Sequence, residues 1–346
     1  MIIKIPQYII KNSFISGNNI FQLGFEGLNE EVELDECEDG YLLKTILDED
    51  ILITNQNRRF KNYKYILKYR DSELNERTEL KWFRYVQDES IQEIKEMYES
   101  NYKIKKEIVE NDNIIRVGLR TPQVGAIHAI LSNITNPKYK EGIVVMPTGT
   151  GKTEVMLTTF LSEEIKRLIV ITPSNALREQ IGNKFKQLGI LRKLGIINRN
   201  CKYPVVGILK KGFKSKEEEA EFFKQCNVVI TSMQLAINLD TKNMNNNFSH
   251  LFIDEAHHIT LNKWGDIANK FKNKIVQFTA TPFRNDGKML KGDIIYKYSL
   301  LQAQEEKYFK AINFEPVMQF DEQKADETIA KKTVEVLKKD IEDGLE

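Results

Sequence analysis

Cysteine is scarce in this chain of 346 residues: Cys37, Cys201 and Cys226 are far apart. That excludes a disulfide-stapled scaffold, and no pair has metal-knuckle spacing; an odd number of isolated thiols suits a reducing compartment. Histidine is equally sparse. The four are His128, His250, His257 and His258, so histidine-based nuclease chemistry is excluded from the first 127 residues. No apolar run approaches the length that spans a bilayer, and no charged-then-apolar leader is visible at the N-terminus. The expectation is a cytoplasmic chain without a membrane partner. Nor does one charge dominate: 51 Lys and Arg face 50 Asp and Glu, a net of +1. A strongly basic chain would by itself point to nucleic acid; here any such binding must come from a local stripe.

What is present changes character along the chain. Before about Asn111, alternating β-forming segments recur at Met1 to Ile10, Glu31 to Leu34, Asp50 to Thr54, Tyr63 to Tyr69 and Glu79 to Val86. Polar turns such as Gly17-Asn18-Asn19 separate them, and Ser90 to Ser100 has helical spacing. Residues 1–110 therefore read as a small α+β accessory domain. Asp71, Glu79 and Lys81 have the residue types of a metal nuclease there, but a charged outer sheet face is the simpler reading. From Leu119 short Val/Ile-rich runs alternate with helical stretches: Gly142 to Val145, Leu168 to Ile171, Val205 to Ile208, Val228 to Ile230, Leu251 to Ile253 and Ile275 to Phe278. Such runs are strands buried on both faces, and alternation with helices makes an α/β fold with a parallel sheet flanked by helices. Residues 111–315 form this lobe; 316–346 read as a charged linker and helix with Thr333, Val336, Leu337 and Ile341 as its apolar stripe. Asn243 to Asn247 reads as an Asn-rich loop and Lys210 to Lys216 as a basic one.

The chemistry gathers where these strands end. After the first strand, Pro147-Thr148-Gly149-Thr150-Gly151-Lys152-Thr153 makes a turn that opens a helix. Glycines let backbone N–H groups face phosphate oxygens, and the helix N-terminus adds its positive end. Lys152 is placed to hold the β- and γ-phosphates of ATP, and Thr153 to ligate Mg²⁺. The strict G-x-x-x-x-G-K-[ST] pattern has glycine where Met146 stands. After the strand Leu251 to Ile253 comes Asp254-Glu255-Ala256-His257. A carboxylate at a buried strand end is costly unless a cation or hydrogen bonds compensate; Mg²⁺ held by Asp254 would supply this, with Glu255 as the general base for the attacking water. Thr279-Ala280-Thr281-Pro282 follows another strand, with hydroxyls able to bond to the acidic turn.

In this order the motifs resemble those of superfamily 2 DEAH-type helicases and translocases of the type III restriction subunit-like group, over roughly Leu119 to Phe314. The resemblance implies a P-loop NTPase RecA-like lobe that uses ATP and Mg²⁺, with catalytic Lys152, Asp254 and Glu255. It implies nucleotide contacts from Thr148, Gly149, Thr150, Gly151, Lys152 and Thr153, with Gln123 and Arg120 at the adenine end. Thr172-Pro173-Ser174 and Thr231-Ser232 resemble the motifs that contact the nucleic-acid backbone. His257, Thr279 and Thr281 resemble the coupling elements, and Arg284-Asn285-Asp286 an Arg-x-Asp element. Small hydroxyl groups at strand ends can position phosphates without reading bases, so binding should be salt-sensitive and largely sequence-independent. The implied partner is nucleic acid, DNA more than RNA, with a second RecA-like lobe expected in cis beyond Glu346 to supply an arginine finger. Protein partners are expected through residues 1–110. An RNA helicase and a nucleotide-gated binding module remain the alternatives.

Overall fold

The computed structural model describes residues 2–25, 27–43, 50–84, 101–110, 113–198, 201–258, 261–284, 287–309, 316–317 and 322–342. The helix expected at Ser90 to Ser100 lies outside these, as do Asn285 and Asp286. Residues 1–300 form one compact unit and 301–346 a second.

The strands of the first unit are β1 (Ile2–Ile5), β2 (Tyr8–Ile15), β3 (Asn18–Phe25), β4 (Leu28–Glu31), β5 (Asp35–Cys37), β6 (Gly40–Leu43), β7 (Ile51–Thr54), β8 (Tyr65–Lys68), β9 (Lys81–Arg84), β10 (Ile108–Glu110), β11 (Asn113–Arg116), β12 (Gly142–Val145), β13 (Leu168–Thr172), β14 (Val206–Ile208), β15 (Val228–Ser232), β16 (His250–Ile253), β17 (Lys274–Thr279) and β18 (Asp293–Lys297). Its helices are α1 (Thr121–Thr135), α2 (Lys152–Ser162), α3 (Asn175–Gln187), α4 (Lys216–Lys224), α5 (Met233–Ala236), α6 (Thr241–Asn247) and α7 (Leu261–Lys270). A further helix, α8 (Leu300–Glu305), begins at its edge, and α9 (Glu322–Glu342) belongs to the second unit. Ile329, Val334, Leu337 and Ile341 are exposed on α9.

A nine-stranded sheet dominates, in the order β18-β12-β17-β16-β13-β15-β14-β3-β2. The seven strands from β18 to β14 are parallel. Every residue of β12, β13, β15 and β16 is buried, as expected of strands covered on both faces. Each run expected from the sequence is present. The sheet gains β18 beyond these, an edge strand whose Ile294, Ile295 and Tyr296 are only half-buried.

The N-terminal region enters this sheet. The β2–β3 hairpin pairs antiparallel to β14, with Val206 opposite Phe21 and Ile208 opposite Asn19. Asn18 locks the junction: its side-chain amide oxygen Oδ1 accepts from the backbone N–H groups of Lys210 and Lys211 at 2.7 and 2.9 Å. The boundary expected near residue 110 is thus crossed by sheet hydrogen bonds. A separate five-stranded sheet, β5-β6-β7-β8-β9, carries the rest of this region. Its own core includes Ile51, Ile53, Leu67 and Leu80, with Ile3 and Ile5.

Two local expectations are corrected. Asn18 and Asn19 are not turn residues; Ser16 and Gly17, both with positive φ, make the turn and the asparagines open β3. The Asn-rich run is helix α6, not a loop. Asp240 caps it by accepting from the N–H groups of Lys242 and Asn243, both at 3.0 Å. Asn245 and Asn247 donate back to the carbonyls of Thr241 and Asn243 at 2.7 and 2.9 Å.

His250, at the start of β16, gives the fold an acid sensitivity. Burial, with help from Lys274, lowers its pKa from 6.5 to about 4. The native state therefore holds it neutral while the unfolded chain protonates it below 6.5. Its contribution is complete above pH 6.5 and is lost as pH falls toward 4. Between pH 7 and pH 5 the wild-type chain should lose ~2 kcal/mol more stability than His250→Asn, from the pKa difference alone. Denaturant unfolding at the two pH values checks this, and parallel losses in both proteins would contradict it.

Candidate active site

Three neighbouring strands deliver the three expected motifs to one edge. β12, β17 and β16 lie side by side with Val145 opposite Thr279 and Ile253 opposite Gln277. The loop after β12, the turn after β16 and the exit of β17 therefore meet at the strands' carboxyl ends, where ligands bind in such sheets.

The loop has the backbone shape that phosphate binding needs. Gly149 and Gly151 have φ of 85° and 90°, in the left-handed region that side chains avoid. Gly151 has a second reason to be glycine: a Cβ there would collide with the amide nitrogen of Gln123. Gln123 is buried. Its amide oxygen accepts from the Arg120 N–H at 2.8 Å, and its amide nitrogen donates to the Gly151 carbonyl at 3.5 Å. The Arg120 guanidinium donates to the Gly149 carbonyl at 3.4 Å. The two residues assigned to the adenine end thus also brace the loop from behind. Thr150 closes the turn by donating to the Pro147 carbonyl at 2.6 Å, while Thr148 is exposed. Lys152 and Thr153 open α2 as expected.

Lys152 is held in place before any phosphate arrives. Its ammonium lies 3.0 Å from Glu255 Oε1 and donates to the Met146 carbonyl at 3.4 Å, with its side chain 8% exposed. Glu255 has φ of 48°, a left-handed conformation for a non-glycine residue. Such conformations cost about 1 kcal/mol or more and gather at functional sites. Asp254 is more deeply buried. Burial first, and Glu255 second, push its pKa up to about 6, with Lys152 pulling the other way. Two adjoining carboxylates thus share one close ammonium, a donor set that fits a hard divalent cation. Mg²⁺ takes one or two protein oxygens and keeps water for the rest. Asp254 and the Thr153 hydroxyl are the residues that would hold it.

From Glu255 a polar chain runs across to β17. His257 Nδ1 is 3.5 Å from Glu255 Oε2 and 2.9 Å from Thr279 Oγ1. Thr279 spends its only proton on the Thr281 carbonyl at 2.6 Å. His257 must therefore donate from Nδ1, which fixes its tautomer. Its pKa is lowered, by burial first and by His258 next, whose ring lies 4.1 Å away. Thr281 is exposed at the end of this chain.

The strand ends assigned to nucleic acid lie next in the sheet, with Thr172 opposite Ser232. The structure brings the two motifs together but turns the threonine hydroxyls inward. Thr172 and Thr231 are fully buried; Thr172 donates to the Thr231 carbonyl at 3.4 Å and Thr231 to the Ser232 carbonyl at 3.3 Å. Ser232 is also buried. Ser174 caps α3 by accepting from the Leu177 N–H at 3.3 Å. What faces outward is Ser174 with Asn175 and Ala176, the first turn of α3, beside half-buried Pro173. The basic loop is clamped: Lys210 pairs with Glu179 at 3.2 Å and Phe213 packs on Phe222 and Phe223. Glu79 and Lys81 pair with each other at 3.3 Å on an exposed strand, and no group of three metal-ligating side chains gathers among the described residues.

Sequence reasoning missed Glu154. It is buried in the first turn of α2 and pairs with Lys184 of α3 at 3.3 Å. An acidic residue right after Lys152-Thr153 was the available signal.

Known proteins resemble part of the chain. Residues 116–284, just under half of it, match the family described as type III restriction enzyme, res subunit. The DNA 3'-5' translocase XPB2 of Sulfurisphaera tokodaii is 28% identical over 218 residues, covering 58% of this chain and 42% of that protein. The putative ATP-dependent helicase IRC3 of Saccharomyces cerevisiae is 27% identical over 215 residues, covering 58% and 29%. The chain thus spans less than half the length of either relative. Among solved structures, the Hef helicase domain of Pyrococcus furiosus aligns at 22% identity and a TM-score of 0.38 over 55% of this chain and 41% of that one. With the motifs in their order and their strand ends side by side, residues 116–284 are similar to the type III restriction enzyme res subunit and to helicases and translocases of the kind named above.

Proposed function

We propose that this chain is the ATP-binding lobe of a nucleic-acid motor, an ATP-dependent helicase or translocase directed to DNA in a restriction, repair or defence system. One observation carries the reading: the polar chain Lys152–Glu255–His257–Thr279–Thr281 joins the phosphate loop to the exit of β17. A plain nucleotide-binding protein needs the first two residues and not the last three.

The residues act in sequence. Backbone N–H groups of residues 148–153 hold the phosphates, with Arg120 and Gln123 at the adenine end. Lys152 leaves Glu255 for the β- and γ-phosphates, since one ammonium cannot serve both equally. That frees Glu255 as a general base: it takes a proton as the water oxygen bonds to the γ-phosphorus and the bond to the ADP oxygen breaks. Thr153 and Asp254 would hold Mg²⁺, which would supply charge neutralisation at the phosphates. Movement of Glu255 reaches Thr279 through His257. The strand ends at Thr172, Pro173, Ser174, Thr231 and Ser232, with the first turn of α3, carry the nucleic-acid backbone. A second RecA-like lobe faces the nucleotide and supplies an arginine finger. Residues 1–110 serve as the accessory region through which protein partners dock. The similarity to a DNA 3'-5' translocase supports DNA over RNA.

Thr279→Val tests the coupling chain. It removes the acceptor for His257 Nδ1 while keeping the shape of the side chain. ATP affinity should stay within about twofold, while stimulation of hydrolysis by DNA falls about tenfold, the size of one lost buried hydrogen bond. Steady-state hydrolysis with and without DNA measures this, and undiminished stimulation would contradict it.

A further inference from the structure

A basic groove stands apart from every motif above. It has a volume of about 550 Å³ and is lined by Lys103, Lys105, Lys106, Arg116, Arg192 and Lys193, with no acidic side chain in its wall among the described residues. Two segments distant in sequence build it, 103–117 and 192–195. Backbone bonds tie them: the Lys103 N–H donates to the Ile196 carbonyl at 2.7 Å and the Asn198 N–H to the Asn101 carbonyl at 2.9 Å. The Leu119 N–H donates to the Lys105 carbonyl at 2.8 Å. Gly195 has φ of 63°, and a Cβ there would come within 3.0 Å of Lys105 Nζ. Arg192 serves the wall itself, donating to Tyr203 Oη at 3.1 Å and to the Asn198 carbonyl at 3.0 Å. Arg116 donates to the Lys106 carbonyl at 2.9 Å. Lys103, Lys106 and Lys193 are exposed.

Like charges gathered in one wall repel one another, so such a groove is stable only at a cost that an anion offsets. The same segment continues into the β10–β11 hairpin. Its Val109 and Ile114 face each other across the ladder and are 50% and 60% exposed, with Ile115 62% exposed on the other face. Exposed apolar side chains grouped beside a basic groove fit a ligand with a charged backbone and apolar rings. A free polyphosphate would use the lysines and leave the hairpin idle.

We propose that this groove and the neighbouring hairpin form a second nucleic-acid contact, in which Lys103, Lys105, Lys106 and Lys193 hold the phosphodiester backbone of a single strand and Val109 and Ile114 meet its bases. The site rests on the motor reading given above and adds to it a contact outside the motif-bearing strand ends. It lies on the element leading into Arg120 and Gln123, so the strand held here borders the nucleotide end of the lobe.

The test uses the full chain and a fluorescent single strand of about 20 nucleotides, with inorganic tripolyphosphate as a separate ligand. The triple variant Lys103→Glu, Lys106→Glu, Lys193→Glu alters exposed side chains only. It should bind the strand at least about tenfold more weakly near 100 mM salt. The slope of log affinity against log salt should flatten by about two, at ~0.7 for each phosphate that a lysine no longer neutralises. ATP affinity should not change. Val109→Ser with Ile114→Ser should weaken the strand about threefold or more with the slope intact; circular dichroism shows whether each variant is folded. Strand affinity and slope equal to wild type in the triple variant would overturn the groove while leaving the motor reading in place. Loss of tripolyphosphate binding with unchanged strand binding would overturn it in favour of a small-anion site. A wild-type chain that binds no strand at low salt would overturn the motor reading and the groove with it.

Discussion

Lys152→Ala should weaken nucleotide binding by about 10²-fold or more. The ammonium is the only side-chain cation within 4 Å of Glu255 among the described residues, and no other lysine or arginine opens the helix after the loop. Charge-assisted bonds to phosphate are each worth about 1.5–3 kcal/mol, so losing two raises the dissociation constant by about 10² or more. The substitution has a second effect. Lys152 also offsets the adjoining Asp254 and Glu255, so alanine leaves the two carboxylates with only Lys184, itself paired with Glu154, to offset them. Thermal unfolding is therefore recorded beside calorimetric titration with ATP and Mg²⁺. Weak binding by a folded variant is the expected outcome, and retained affinity would count against the loop as the phosphate site.

Glu255→Gln separates holding ATP from cleaving it. Glutamine keeps the length and hydrogen-bonding reach of the side chain but cannot accept the water's proton. Hydrolysis should fall by about 10²–10⁴, the usual range for a removed general base. Affinity for ATP should hold or rise, because Lys152 no longer has a carboxylate competing for it at 3.0 Å. Single-turnover measurements with binding followed in parallel check both halves. Hydrolysis close to wild type would remove Glu255 from its assigned role, and so would a loss of binding equal to the loss of turnover.

The parts of this site that could be read from the sequence are those where one residue type has one physical reason to be present. Val144 and Val170 lie in runs that only a doubly covered strand explains, and these strands form where expected. Gly151 before Lys152 has the left-handed backbone that favours glycine, and Asp254 at the end of β16 is a buried carboxylate that needs compensation. Less was legible where a residue's partner is remote. Nothing near Asn18 in sequence announces that it joins β3 to the loop at Lys210 and Lys211. Thr172 and Thr231 resemble phosphate donors, because a hydroxyl at a strand end suits that task; their burial follows from β13 and β15 packing side by side. Resemblance assigns Gln123 to the adenine end, and its packing beneath Gly151 is visible only once α1 and the loop share space. The lysines of the groove are scattered over some 90 positions and look like ordinary solvated charge until the fold assembles them.

The central claim is that the phosphate loop and the nucleic-acid surface are parts of one machine. Hydrolysis of ATP by the protein, measured alone and with duplex DNA, single-stranded DNA and RNA in turn, tests it most directly. The account predicts turnover stimulated several-fold or more by DNA, and no stimulated turnover in Glu255→Gln. Hydrolysis indifferent to all three nucleic acids would contradict it.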